Sequence, residues 1–123
     1  MTLEDLYQQY GKKYHKQKII CHEGAKGNEM YLILEGKVTV YKQGPPPTCD
    51  RIDIARLEKD NFFGEMTLLE GFPRTASVQA LTEVRLLVIN LDMLEKLFKV
   101  RPVFAIQMFK KFSERLRKSE CWL

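Results

Sequence analysis

The sequence predicts a domain that is mainly β with flanking α: an antiparallel β-sandwich or barrel with helices appended at both ends. Three observations predict it. Apolar and polar residues alternate with period two in several short runs between residues 18 and 90, each bounded by turn residues. From Leu91 onward the period changes to 3.6. A length of 123 residues suits one compact domain with a continuous core and leaves no room for a second. A single domain over 1–123 is therefore expected, with a helical segment over 1–17, a β-core over 18–90 and C-terminal helices over 91–118.

Residues 3–10 (LEDLYQQY) read as a short helix, with Glu4 and Asp5 in its first turn, where the positive end of the helix dipole favours acids. Residues 18–21 read as a short strand ending at the Glu23-Gly24 turn. Residues 30–42 read as a hairpin turning at Glu35-Gly36. Met30, Leu32, Leu34, Val38 and Val40 share its apolar face, and Lys37, Thr39 and Tyr41 face water. The stretch Gln43-Gly44-Pro45-Pro46-Pro47 is an exposed loop, since three prolines offer no N–H to a ladder. Residues 51–57 alternate again, Ile52 and Ile54 against Asp53, Ala55 and Leu57. Phe62-Phe63 then leads into one or two helical turns between Gly64 and Gly71-Phe72-Pro73, and strands over 75–80 and 84–89 close the β part. Asn90 caps a helix over 91–99. Pro102, at a helix's first turn, opens a longer one to about Lys118. On it Ala105, Met108, Phe109, Phe112 and Leu116 form an apolar stripe, which either docks on its own domain or forms a homodimer seam.

Several function classes are excluded by composition. A chain that is 45% hydrophobic is too apolar for disorder. Its longest apolar runs, 31–34 and 86–89, fall far short of the ~20 residues of a spanning helix. The start MTLEDLYQQYGKK lacks the basic residues and apolar stretch of a leader, so a soluble cytoplasmic protein is expected. Cys21, Cys49 and Cys121 are odd in number and form no CxxC pair. Cys21-His22-Glu23 would point alternately to opposite faces of a strand and so cannot converge on a metal. Neither His15 nor His22 has a plausible nucleophile beside it, since neighbours such as Cys21 and His22 point to opposite faces of a strand, and no enzyme is expected. The net charge of +4 is concentrated at Lys12, Lys13, Lys16 and Lys18 and at Lys110, Lys111, Arg115, Arg117 and Lys118. These read as solvated faces rather than a nucleic-acid interface, because no binding motif accompanies them.

Residues 63–80 (FGEMTLLEGFPRTASVQA) place a helical turn where a hairpin loop would suffice. Gly64 permits close backbone approach, and the helix start that follows offers unpaired N–H groups suited to an anion. Arg74 adds a charged fork matched to phosphate. Glu65, when ionised, can only accept hydrogen bonds, so a hydroxyl is its natural partner. One anion and one hydroxyl within about nine residues describe a sugar phosphate.

The pattern F-G-E-x-x-L-L-x-G-x-P-R-T-A-x-V-x-A resembles the phosphate-binding cassette of the cyclic nucleotide-binding domain family. That family includes the catabolite activator protein, protein kinase A regulatory subunits and cyclic-nucleotide-gated channels. The likeness extends to the Gly24 turn, to Met30-Tyr31-Leu32-Ile33-x-x-Gly36 and to the two C-terminal helices. It implies a jelly-roll-like core, a cassette over 63–76, and sensing of a cyclic mononucleotide through movement of the C-terminal helices. Cyclic AMP is the first expected ligand and cyclic GMP the second; no other cofactor is implied. By that resemblance Phe63 opens the cassette, Glu65 takes the ribose 2′-hydroxyl and Arg74 the cyclic phosphate. Backbone N–H groups of Gly64, Met66, Thr67, Thr75 and Ala76 line the pocket, and Val40, Ala55 and Leu57 form the wall against the base. Thr75 either bonds a guanine amino group or faces the phosphate. Arg115 is either a lid over the base or a solvated charge, and Trp122 either a second lid or a tail residue. Asp60 stands where the family often has Gly, and it too tolerates left-handed backbone. The alternative on the same fold is a ligand-free interaction or dimerisation module in which Glu65 pairs with Arg74.

Overall fold

The computed structural model describes residues 2–118; Cys121 and Trp122 lie outside them. Two four-stranded antiparallel sheets face each other. One holds β1 (Gly11–Tyr14), β8 (Val84–Ile89), β3 (Met30–Glu35) and β6 (Phe62–Phe63), in that spatial order. The other holds β2 (Ile19–Cys21), β7 (Ser77–Ala80), β4 (Val38–Gln43) and β5 (Arg51–Leu57). Four helices join them: α1 (Leu3–Tyr10), α2 (Glu65–Glu70), α3 (Leu91–Val100) and α4 (Pro102–Arg117). This is the antiparallel sandwich with flanking helices that the sequence predicts. No helix among the described residues is long and apolar enough to cross a membrane.

Two apolar layers hold it together. Tyr31, Ile33, Val38, Val40, Phe63 and Leu86 pack between the sheets. Leu6, Met30, Leu32, Phe62, Leu97 and Met108 pack between the first sheet and α1, α3 and α4. Each fully buried large side chain contributes roughly 1.5–3 kcal/mol. Caps fix the helix starts. The Thr2 hydroxyl accepts from the Asp5 amide at 3.1 Å, and the Asp5 carboxylate accepts from the Thr2 amide at 2.8 Å, a reciprocal box that also lowers the Asp5 pKa. Asn90 accepts from the Met93 amide at 2.9 Å.

Four sequence readings are corrected. First, β3 and β4 are not a hairpin with one wet face, because they belong to different sheets. On β3, Tyr31 and Ile33 point into the sandwich while Met30 and Leu32 point to the helices. Gly36, at φ +95°, sends the chain across. Second, the segment 1–17 is not wholly helical: residues 11–14 pair with β8, from Gly11 opposite Leu87 to Tyr14 opposite Val84. With only Tyr14 buried, so short a strand carries almost no period-two signal.

Third, β5 does not alternate cleanly. Val40 faces Ala55 but Tyr41 faces Asp53, so Ile54 is the extra residue of a bulge. Ile52 ends 52% exposed, and Ala55 and Leu57 take the inward positions. Fourth, the apolar stripe of α4 is displaced. Phe104, Met108 and Arg115 are buried, whereas Phe109 and Leu116 are 73% and 67% exposed. A buried arginine, which hydropathy places outside, hides the true docking face from the periodicity.

Candidate functional site

The segment between β6 and β7 builds the site. Gly64 takes left-handed backbone at φ +85° and turns the chain into α2, and Gly71 at φ +73° ends it, donating to the Thr67 carbonyl at 3.1 Å. Leu68 is the first amide to bond back inside the helix, at 3.3 Å to the Gly64 carbonyl. The amides of Met66 and Thr67 therefore have no partner inside α2 and form its positive end, while the Glu65 amide bonds its own carboxylate.

Arg74 is clamped from several directions. Its amide donates to the Ala25 carbonyl and its carbonyl accepts from the Gly24 amide, both at 2.8 Å, tying the end of the cassette to the loop between β2 and β3. Its Nη1 donates to the Glu29 carbonyl at 2.7 Å and the Gly64 carbonyl at 3.5 Å. The guanidinium lies 5.4 Å over the Tyr31 ring, within cation–π range. Burial holds the Tyr31 phenol up at about 12, so it stays protonated. Nη1 is thus spent on backbone acceptors, and Nε and Nη2 have no hydrogen-bond partner among the described residues. A buried guanidinium (7% exposed) with one parallel N–H edge unused is what a bidentate oxyanion requires.

Phe63, Gly64, Met66, Thr67, Arg74, Thr75 and Ala76 come together around one cavity, with Val40, Cys21 and Val78 on its far wall. The space enclosed is about 20 Å³, room for a single water. It adjoins a shallow hollow of about 400 Å³ that shares Met66, Arg74 and Thr75 and is bounded by Glu23, Lys42 and Phe72. Of the proposed base wall, Val40 reaches this cavity, while Ala55 and Leu57 pack in the core between the sheets. Sequence reasoning missed Cys21 and Val78, which pair across β2 and β7. Strand periodicity exposes their common face only once the pairing is known. It also missed Tyr31 and the acceptors at Ala25 and Glu29, since a backbone carbonyl has no sequence signature.

The Glu65–Arg74 pair of the ligand-free alternative is not formed, and Glu65 does not line the small cavity. It is buried and accepts from Arg115 Nη1 at 3.3 Å. Arg115 Nη2 donates to the Phe62 carbonyl at 2.6 Å, and the guanidinium sits 4.3 Å from the Phe62 ring centre. Arg115, 7% exposed, is thus no solvated charge; it joins the last turn of α4 to the first turn of α2. Glu65 Oε2 is buried without a hydrogen-bond partner. Burial pushes the Glu65 pKa up, and the nearby Arg115 charge offsets this only in part. Among the described residues no cluster of His, Cys, Asp or Glu could hold a metal ion.

Comparison with known proteins agrees with this geometry. Residues 11–101 match the family model described as the cyclic nucleotide-binding domain. The chain is similar to a CRP-like cAMP-activated global transcriptional regulator of Mycobacterium tuberculosis, at 30% identity over 79% of this chain and 42% of that one. In structure it is similar to the Thermus thermophilus catabolite activator protein (28% identity, TM-score 0.76, covering 95% of this chain and 55% of that chain). It is also similar to an EAL enzyme solved in a cAMP-bound form (32% identity, TM-score 0.63, covering 89% and 28%) and in a cGMP-bound form (31%, 0.61, 87% and 28%). The chain spans less than half the length of the curated relatives it matches.

Proposed function

The chain belongs to the cyclic nucleotide-binding domain family, and from that membership we propose that it is a non-enzymatic regulatory module sensing a cyclic mononucleotide, cyclic AMP first and cyclic GMP second. The observation that carries the reading is Arg74, buried at the cavity with its Nε–Nη2 edge unused beside Met66 and Thr67, whose amides have no partner inside α2. A ring phosphate supplies the acceptors for both. Glu65 Oε2, a buried acceptor without a donor, is the natural seat for the ribose 2′-hydroxyl. Val40, on the cavity wall, supplies the apolar side for the base, and Thr75 bears on which base is preferred. A cytoplasmic setting fits the thiols of Cys21 and Cys49, both free.

The same geometry suggests how binding is transmitted. A phosphate seated on Arg74 would press against Met66 and Thr67, which line the cavity and belong to α2. That helix also carries Glu65, and Glu65 is ion-paired to α4. Any shift of α2 on binding therefore loads the Glu65–Arg115 pair, and α4 moves to the extent that ligand affinity differs between the two positions of the helix. A thermal-shift titration tests the reading. Cyclic AMP at 100 times its dissociation constant should add about 2.7 kcal/mol, moving the unfolding midpoint of a chain this size by about 10 °C. No shift with cyclic AMP or cyclic GMP would sink it.

One observation favours a second, compatible role. Val103, Ile106, Phe109 and Leu116 lie on one side of α4 and are 56–73% exposed. A face of this kind is what a homodimer through the C-terminal helix would use. Light scattering over a concentration series tests it: a mass that stays at the monomer value at high concentration rules the seam out.

A further inference from the structure

We propose that Gly27 is a positioning residue for anion recognition: its missing side chain keeps open the Nε–Nη2 edge of Arg74. The inference rests on the cyclic nucleotide reading and adds to it a residue outside the cassette, in the loop between β2 and β3. A Cβ built on Gly27 would lie 2.7 Å from Arg74 Nη2, 3.1 Å from Cζ and 3.2 Å from Nε. Those distances put a methyl group against the edge of the fork that has no protein partner, where a bidentate phosphate would sit. Real Cβ contacts are not that short, so one of the two must yield. Arg74 has little freedom to do so. Its backbone is bonded on both sides to residues 24 and 25, and Nη1 is tied to the Glu29 carbonyl at 2.7 Å. On its other flank a Cβ on Gly64 would meet Nη1 at 2.6 Å. Two glycines thus flank one guanidinium. They differ in kind, since Gly64 also needs its left-handed φ, whereas Gly27 is not among the positive-φ residues. Alanine at Gly27 therefore changes the space beside Arg74 without demanding a disfavoured backbone.

Gly27→Ala is expected to weaken cyclic AMP binding, read by isothermal titration, by about tenfold or more, the scale of one charge-assisted hydrogen bond. It should also shift the Arg74 Nε–H resonance in a proton–nitrogen NMR spectrum recorded without nucleotide. Its unfolding midpoint should stay close to that of the wild-type chain. Unchanged affinity in a variant of a wild-type chain that does bind would overturn the inference and leave the ligand reading intact. So would weakened affinity with an unmoved Arg74 resonance. If the wild-type chain binds neither cyclic AMP nor cyclic GMP, the ligand reading fails, and the resonance alone decides the role of Gly27: moved supports it, unmoved overturns it. Should Gly27→Ala not fold, the double variant with Arg74→Ala decides. Folding restored identifies the clash with the guanidinium, and no folding in either assigns Gly27 to the turn instead.

Discussion

Arg74→Ala is expected to weaken cyclic AMP binding by about 2–4 kcal/mol, roughly 30- to 1,000-fold. The magnitude follows from what would be left behind. The phosphate would remain seated among the amides of α2 with no counter-charge, in a site where Arg74 itself is only 7% exposed. Removing the side chain also frees the Glu29 carbonyl it bonds at 2.7 Å, costing about 1 kcal/mol of folding stability. The unfolding midpoint measures that smaller loss separately. Arg74→Lys should fall between, since it keeps the charge but not the parallel edge. Calorimetry showing wild-type affinity for Arg74→Ala would remove the cassette from any role in phosphate binding.

Arg115→Ala should have the largest effect on folding, a loss of about 3 kcal/mol, because it leaves the Glu65 carboxylate buried and alone. The pair is 8% and 4% exposed on its two side chains, so water cannot take over for the missing guanidinium. The defect should depend on pH in a definite direction. Burial raises the Glu65 pKa in the folded chain above its ordinary value of 4.5. A raised acid contributes stability that is fully present below its unfolded pKa and is lost as pH rises through the folded one. Without Arg115 the folded pKa climbs further. The gap between variant and wild type should therefore be widest near neutrality and narrow as pH falls towards 4.5. Denaturant melts across that range measure it, and a gap independent of pH would show that Glu65 is not the group left unpaired. Adding Glu65→Gln to Arg115→Ala should recover most of the loss, as a neutral amide costs far less to bury.

The two variants touch parts of the molecule that the sequence disclosed unequally. The boundaries of α1, α2 and β8 follow from capping residues, glycines and alternation, and these signals are local. The cassette residues were legible as a set for the same reason, lying within fourteen consecutive positions of one another. The choice of sheet was not. Met30 to Leu34 reads as one apolar face because a strand buried on both sides looks like any apolar run, and nothing near Gly36 announces that the chain crosses to the opposite sheet. The partner of Glu65 was hidden by distance: Arg115 lies 50 positions away, and an arginine on an otherwise amphipathic helix reads as solvent-facing. Backbone acceptors such as Glu29 were hidden by chemistry, since every residue has one.

The tethers on Arg74 also bear on when the site comes into being. Its guanidinium and main chain are fastened to residues 24, 25 and 29, and α4 is fastened to α2 and to β6 through partners 50 and 53 positions apart. Closing loops of that length is entropically slow relative to local turns. The Arg74 cavity is thus held by contacts of high sequence separation, which local turns alone do not supply. A synthetic peptide of residues 63–80, although it carries the whole recognition pattern, has none of these anchors and would be an unstructured chain without affinity for the ligand.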